Sequence, residues 1–140
     1  MDIVPTLNFG GNCRDAIQMY EKAFDGQISC LITYGEANDP AYNPLLKDNQ
    51  KDYIYHSELV IGSRRIIMSD NVDIEFQTCY SNFLTIMYDT KEEVQRAYEI
   101  MKEESKTIYP MEATSYSSCR VVFVDRFGIR WGLMTEQTER

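Results

Sequence analysis

The pattern of apolar and polar positions along the chain occurs twice. In each copy a short apolar segment ends at a polar residue, an acid follows three positions later, and an amphipathic helix carries a tyrosine. A single shift along the chain places Asn12 on Thr90 and Tyr20 on Tyr98. Three further strand-like segments follow each helix, so the repeat predicts an α+β fold with the element order βαβββ twice.

These elements fit one domain of 140 residues. The repeat sets its internal boundaries, with module one at 1–70, a linker at 71–80 and module two at 81–140. Alternation and β-forming residues predict eight strands. In chain order they are residues 3–9, 27–34, 53–61, 65–69, 82–88, 107–113 (broken by Pro110), 120–124 and 129–134.

Capping residues mark the predicted helix ends. Asn12 is expected to cap the first helix and Gly26 to end it. Thr90 and Glu93 form a capping box at the start of the second helix. Residues 35–52 carry prolines, asparagines and charges, which predicts a long loop, and loops of this length are often functional.

Charge and hydropathy exclude several classes of function. The net charge of −8 argues against a nucleic-acid partner, whose phosphates require lysine and arginine, and is compatible with a cationic ligand. No apolar run approaches the roughly 20 residues that cross a bilayer, so no membrane association is expected. The N-terminal residues lack the pattern of a signal peptide, and a cytoplasmic location is therefore expected.

Three groups of residues, in order along nearly the whole chain, carry a resemblance to a known family. The sequence resembles the vicinal oxygen chelate superfamily, the glyoxalase, bleomycin-resistance and dioxygenase group, and within it the PhnB-like branch. The resemblance implies two βαβββ modules that form a curved mixed sheet, commonly in a homodimer. It rests on Asn8–Cys13 with Ala16 and Met19–Phe24, on His56–Gly62 with Ile67–Asp70, and on Val124–Trp131.

The resemblance also implies where a metal would lie. Catalytic members of the superfamily hold a divalent ion with His and Glu from the opening and closing strands of each half. Those positions fall near Pro5, Asn82 or Phe83, Met68 and Gly132, none of which is a strong ligand. With a single histidine in the chain, a site with two histidines from one chain is excluded, and we expect no metal and no cofactor.

His56 has two candidate roles, as a metal ligand or as a hydrogen-bonded residue of a cavity or interface. Alternation places Ile54, His56, Glu58 and Val60 on one face of their strand, and this H-x-E pair could seed a metal site completed by Asp70. The simpler interpretation is a hydrogen-bonded histidine that lines a cavity or interface, because structural metal sites usually need four ligands. Glu58 and Asp70 could also act as general acids or bases if buried, although such residues more often have a structural partner.

Aromatic residues suggest a ligand pocket. Tyr55 and Trp131 lie on predicted strands, whereas Tyr34 precedes and Tyr42 lies within the loop at 35–52, which would act as a flap. Aromatic faces pack against flat ligands or attract cations, so the expected ligand is an aromatic or cationic small molecule. A tyrosine-rich core and dimer interface explains the same composition without a ligand.

The sequence therefore predicts a PhnB-like homodimer that binds a small molecule, without a metal, in a barrel cavity or dimer cleft. The predicted ligand-binding residues are Tyr55, His56, Glu58, Asp70 and Trp131. The alternative is a metal-dependent lyase, isomerase or dioxygenase of glyoxalase type that uses His56 and Glu58. A folded dimer without activity is the third interpretation. Methyltransferase chemistry is not expected, because no S-adenosylmethionine-binding architecture is visible.

Overall fold

The first half of the chain folds as a helix packed on a four-stranded mixed sheet. The structure, a computed structural model, describes residues 1–37, 46–72, 77 and 79–136. The sheet has the order β1-β4-β3-β2, in which β1 runs parallel to β4 and the other neighbours are antiparallel. Its elements are β1 (Thr6–Phe9), α1 (Cys13–Phe24), β2 (Gln27–Thr33), α2 (Tyr34–Ala37), a 3₁₀ turn (Asp48–Gln50), β3 (Ile54–Ile61) and β4 (Arg64–Asp70).

The second half repeats this arrangement. Its sheet has the order β5-β8-β7-β6, with β5 parallel to β8 and the remaining pairs antiparallel. Its elements are β5 (Leu84–Tyr88), α3 (Lys91–Met101), β6 (Lys106–Glu112), β7 (Arg120–Val124) and β8 (Arg130–Thr135). The predicted α+β fold of two βαβββ modules is thus confirmed.

The chain divides into two units, Met1–Gln77 and Thr78–Arg140. The assignment of both modules to one domain, with boundaries at 70 and 81, stays a prediction. Half of the predicted linker at 71–80 is described, and 73–76 and 78 lie outside the described residues. Residues 38–45 of the predicted loop, with Tyr42, lie outside them as well.

Helix α1 buries one face against the first sheet because its apolar residues recur at helical spacing. The buried positions are Cys13, Ala16, Ile17, Met19, Tyr20, Ala23 and Phe24. The predicted Asn12 cap is wrong, since its side chain makes no capping hydrogen bond. The helix ends at Asp25, which adopts the left-handed conformation expected of the following glycine. Gly26 instead permits a close approach, because a Cβ there would lie 2.9 Å from Cδ1 of Leu59.

Helix α3 begins at the predicted cap residue, Thr90, although the Glu93 carboxylate pairs with the Thr90 hydroxyl and not, as in a capping box, with the Thr90 amide. Oγ1 of Thr90 accepts a hydrogen bond from the amide of Glu93 at 3.3 Å, and the Thr90 hydroxyl donates to the Glu93 carboxylate at 3.0 Å. On the sheet side, the ring of Tyr98 meets Phe123 edge-on, with centroids 5.0 Å apart. Strand β6 continues through Pro110, which lies exposed at the edge of the sheet, where a missing N–H is tolerated, but its register against β7 shifts between Tyr109 and Glu112.

Among the described residues, no helix has both the length and the apolar character needed to cross a bilayer.

Candidate functional site

The two faces of strand β3 differ in burial. Ser57 and Leu59 are fully buried on the face that α1 covers, whereas His56 and Glu58 lie half-buried on the opposite face. Ile54 was predicted to share the face of His56, but it is fully buried. The register of β2 against β3 shifts between Ile32 and Thr33, which breaks the alternation at this point. We call the face with His56 and Glu58 the first open face.

A short chain of hydrogen-bonded side chains crosses the first open face. Nε2 of His56 lies 3.0 Å from Oε2 of Glu58, and Nη1 of Arg65 donates to Oε1 of Glu58 at 2.7 Å. The hydrogen bond with His56 and then that with Arg65 lower the pKa of Glu58, so its carboxylate is charged at neutral pH. The structure thus brings together the two residues of the predicted H-x-E pair.

Cys30 joins this pair from the neighbouring strand. Cys30 on β2 and Glu58 on β3 are directly paired, and ligand atoms of Cys30, His56 and Glu58 all lie within 4.8 Å of one another. Sequence reasoning missed Cys30, because only the strand register reveals which residue of β2 faces Glu58. Thiolate, imidazole and carboxylate together form a donor set suited to a transition metal.

The carboxylate of Asp70 has a structural role, because it accepts hydrogen bonds from three backbone amides. Its Oδ1 accepts hydrogen bonds from the amides of Gly11 and Cys13 at 2.8 and 3.1 Å, and its Oδ2 accepts one from Ile54 at 2.9 Å. Burial raises the pKa of Asp70, and these three amides partly oppose that shift. Asp70 alternates with Ser69 and so points to the α1 side of the sheet. The structure therefore does not bring it to His56 and Glu58.

Tyr55 packs against Tyr34, with ring centroids 5.0 Å apart. Tyr34 is buried and its hydroxyl donates to the carbonyl of Asp70 at 2.7 Å. Tyr55 therefore belongs to the packing around Tyr34 at the start of β3. Of the five predicted ligand-binding residues, His56 and Glu58 alone are joined by a direct contact at the first open face.

Trp131 is fully buried in the second unit, and its indole Nε1 donates to Oδ2 of Asp125 at 2.9 Å. Oδ1 of Asp125 accepts from the amides of Phe127 and Ile129, which closes the turn between β7 and β8. A residue without exposed surface cannot stack on a ligand in this conformation. The structure gives Trp131 a packing role, and Asp125, which sequence reasoning did not select, is its partner.

The second sheet also has a face opposite its helix. Tyr98 of α3 contacts Phe123, so directly paired Val122 and Gly132 point away from α3. We call this surface the second open face. Large apolar side chains at 42–54% exposure lie in the segments that surround it, which is unusual for a sheet surface that contacts only water. They are Phe83, Met87, Tyr109 and Tyr116.

Arg120 lies between two of these aromatic rings. Its guanidinium carbon is 5.0 Å from the ring centroid of Tyr109 and 5.7 Å from that of Tyr116. Nη1 of Arg120 also donates a hydrogen bond to the hydroxyl of Tyr116. Stacking of this kind holds a guanidinium flat and leaves its edge available for hydrogen bonding.

Arg130 makes the equivalent contact at the other end of the face. Its guanidinium carbon lies 4.1 Å from the centroid of Phe83, and Nη1 donates to the carbonyl of Tyr80 at 2.9 Å. Gly132 makes room for this arrangement, because a Cβ there would lie 3.4 Å from Cε2 of Phe83. The Nε atoms of Arg120 and Arg130 are buried and lack a hydrogen-bond partner in the part of the chain that the structure describes.

The strands that hold the metal in catalytic superfamily members do not fit a metal here. No His, Cys, Asp or Glu occurs in β1, β5 or β8 as the structure bounds them. In β4 the single candidate is Asp70, which points toward α1. The mismatch therefore does not depend on the register at which Pro5, Met68 or Gly132 is compared with the superfamily.

Comparison with known proteins identifies the family. A model of the family described as 3-demethylubiquinone-9 3-methyltransferase matches residues 1–134. The chain belongs to this PhnB-like family. The PhnB-like assignment made from the sequence is thereby confirmed.

Individual relatives cover almost the whole chain. Protein YjdN of Escherichia coli K12 is 29% identical over 138 residues, which cover 94% of this chain and 92% of YjdN. The structure of PA1353 from Pseudomonas aeruginosa superposes with a TM-score of 0.87 at 29% identity, covering 99% of each chain. A putative 3-demethylubiquinone-9 3-methyltransferase, PhnB protein, from Bacillus cereus has a TM-score of 0.73 at 20% identity, covers 96% of this chain and 99% of its own, and shows the shared fold.

Proposed function

We propose that this PhnB-like protein binds a small aromatic anion on its second open face, and that binding requires no metal ion. The observation that carries this proposal is the pair of arginines, Arg120 and Arg130, each stacked on an aromatic ring and each with a buried Nε that lacks a partner within the described residues. A buried N–H without an acceptor is unfavourable by about 1–3 kcal/mol. A carboxylate-like group would supply acceptors to these donors once a small movement of the arginine side chains exposes them.

The aromatic rings favour a flat ligand. Phe83, Tyr109 and Tyr116 are exposed by 42%, 48% and 49%, and aromatic faces gain free energy when an offset or edge-on ring covers them. Gly132 lies in the middle of the face, where the absence of a side chain lets the ring of Phe83 lie close to β8. The ligand class expected from the sequence, aromatic or cationic, is thus narrowed to aromatic with a negative group, because the two guanidinium groups would repel a cation.

The absence of suitable ligands on β1, β4, β5 and β8 supports the metal-independent part of the proposal. Hydrogen bonds and stacking suffice for reversible binding, so the protein can sequester a ligand without changing it. A homodimer is part of the proposal, with the ligand in a barrel cavity or dimer cleft. Exposed Met87 on the second open face would suit such an interface. The cytoplasmic location stays a prediction.

Calorimetric titration tests the ligand proposal. The titrants are aromatic carboxylates, the corresponding neutral amides and the corresponding aromatic amines. We expect binding of the carboxylates, unchanged by EDTA. Arg120→Gln and Arg130→Gln should each weaken it roughly tenfold or more, since each removes a charge-assisted hydrogen bond. Arg126→Gln is the matched control, because Arg126 is exposed and stacks on Phe127 in the turn. Binding of amines alone, or equal losses in all three variants, would contradict the proposal.

Light scattering tests the homodimer separately. We expect the mass of two chains, and Met87→Glu should shift it toward one chain because it places a charge in an apolar interface. If the native protein is a monomer and still binds the carboxylate, the homodimer proposal is wrong and the ligand-site proposal stands.

A second candidate is metal-dependent chemistry of the glyoxalase or dioxygenase type. The observation that favours it is the 3.0 Å separation of His56 Nε2 and Glu58 Oε2 at the first open face. We would assay thiol adducts of 2-oxoaldehydes and catechols with and without divalent ions. Turnover that needs the ion and disappears in His56→Ala would replace the binding-protein proposal. Its absence in every combination would remove this candidate.

A further inference from the structure

We propose that Cys30, His56 and Glu58 form a binding site for a single divalent transition-metal ion, with Zn²⁺ as the probe. This site lies on β2 and β3 of the first unit, away from the strands that carry metal ligands in catalytic members of the superfamily. It does not depend on the ligand proposed for the second open face. Its parts are an Sγ, an imidazole nitrogen and a carboxylate oxygen that lie within 4.8 Å of one another.

The strand register brings these groups together. Cys30 and Glu58 are directly paired in the antiparallel ladder between β2 and β3, so their side chains leave the sheet on the same face. His56 precedes Glu58 by two positions and therefore points to that face as well. Ligands fixed on two hydrogen-bonded strands need little ordering when an ion arrives, which favours binding.

The spacing suits a tetrahedral ion. Around Zn²⁺, bond lengths near 2.0–2.3 Å place neighbouring ligand atoms roughly 3.4–3.6 Å apart. The observed 3.0 Å between His56 and Glu58, and separations up to 4.8 Å within the trio, approach this range after small side-chain rotations. Binding would release the thiol proton of Cys30, and bonds to the ion would replace the hydrogen bond between His56 and Glu58.

Arg65 orients the carboxylate. Its Nη1 holds Oε1 of Glu58 at 2.7 Å and so directs Oε2 toward His56. Hydrogen bonds of this kind to a ligating carboxylate fix its orientation in metal sites. The side chains of His56 and Glu58 are 36% and 20% exposed, so an ion has an entry path from solvent. With three protein ligands, the fourth position would be open to water or to a ligand.

Titration of the untagged, reduced protein with Zn²⁺, followed by calorimetry, tests the proposal. We expect one ion per chain. Cys30→Ser, His56→Ala and Glu58→Gln should each weaken binding by about 10–100-fold or more. Cys79→Ser is the matched control, because Cys79 is an exposed thiol outside the trio. Equal thermal unfolding midpoints would show that the variants remain folded.

Substitution with Co²⁺ gives a second measurement that does not depend on affinity. A thiolate ligand produces a sulfur-to-cobalt charge-transfer absorption band. We expect this band in the native protein and in Cys79→Ser, and its loss in Cys30→Ser. The proposal is wrong if the native protein shows no band, if the band survives in Cys30→Ser, or if the band disappears in Cys79→Ser.

Discussion

Oδ1 of Asp70, the last residue of β4, accepts a hydrogen bond from the amide of Cys13, the first residue of α1, at 3.1 Å. The same oxygen accepts from Gly11 at 2.8 Å. The start of α1 is therefore capped by a carboxylate from the sheet, whereas the side chain of Asn12 makes no capping bond. This contact fixes the helix to β4 and favours negative charge near the positive end of the helix dipole.

Replacing Asp70 should destabilise the fold. In Asp70→Asn, one oxygen can still accept from Gly11 and Cys13, but the new amide group presents hydrogens to the buried N–H of Ile54. We expect the free energy of unfolding to fall by about 1–3 kcal/mol, as for a buried donor left without an acceptor. Urea denaturation measures this loss. Asp15→Asn is the control, because Asp15 is an exposed acid in the first turn of α1. It should lower the free energy of unfolding by less than about 1 kcal/mol.

The pair of Trp131 and Asp125 offers a double-mutant cycle. Asp125→Asn would turn an amide donor toward the indole N–H, and we expect a loss of about 1–3 kcal/mol. In a Trp131→Phe background the opposing N–H is absent, so the same substitution should cost less. Thermal or urea unfolding of the four proteins gives the coupling energy. Simple additivity would show that the 2.9 Å hydrogen bond has no energetic weight.

The same variants test the predicted ligand role of Trp131. Because its side chain has no exposed surface, Trp131→Phe should lower stability and leave the affinity for an aromatic carboxylate unchanged. Calorimetry at a temperature where both proteins are folded makes the comparison. A large loss of affinity at unchanged stability would restore Trp131 to the ligand site.

Periodicity predicted the fold well because the two helices are amphipathic and the strands are bounded by turns. The start of α3 was visible in the sequence, since Thr90 and Glu93 interact locally. The cap of α1 was not, because its acceptor is Asp70, far along the chain. Local signals identify local interactions, and distant partners become visible only once the strands pair.

In the candidate sites too, the sequence predicted local partners but not distant ones. His56 and Glu58 are two positions apart on one strand, so alternation alone predicted that they would meet. Cys30 required the register of β2 against β3, which a shift between Ile28 and Cys30 makes irregular. Arg120 and Arg130 lie on paired strands of the second sheet, and their stacking on aromatic rings depends on side-chain packing that the sequence pattern does not specify.

The cysteines should differ in reactivity. Burial raises the pKa of Cys13 and of Cys119, whereas the hydroxyl of Ser81, 3.0 Å from Sγ, lowers the pKa of exposed Cys79. The thiolate is the reactive species, so Cys79 should be alkylated first. As pH rises, alkylation of Cys79 should begin at a lower pH than that of an ordinary thiol, whose pKa is about 8.5. Timed iodoacetamide labelling with peptide mass spectrometry measures the order.

Ser81→Ala provides the control for this prediction. Without the hydroxyl, the pKa of Cys79 should rise, and its labelling curve should move to higher pH while Cys13 and Cys119 remain slow. An unchanged curve would mean that exposure alone, and not the hydrogen bond, sets the reactivity of Cys79.

Gly132 on β8 is predicted to be coupled to Thr85 on β5. The two residues are directly paired, and a Cβ on Gly132 would lie 2.9 Å from Oγ1 of Thr85 and 3.4 Å from the ring of Phe83. Gly132→Ala should therefore lower the free energy of unfolding by about 1–3 kcal/mol, the usual cost of overpacking. Thr85 is exposed, so Thr85→Ala alone should change stability by less than about 0.5 kcal/mol. Because Thr85→Ala removes the opposing oxygen, the double variant should recover most of the lost free energy of unfolding in urea denaturation. Its binding of the carboxylate should stay weak if the ring of Phe83 remains displaced. If the two losses simply add, Thr85 is not what restricts this position.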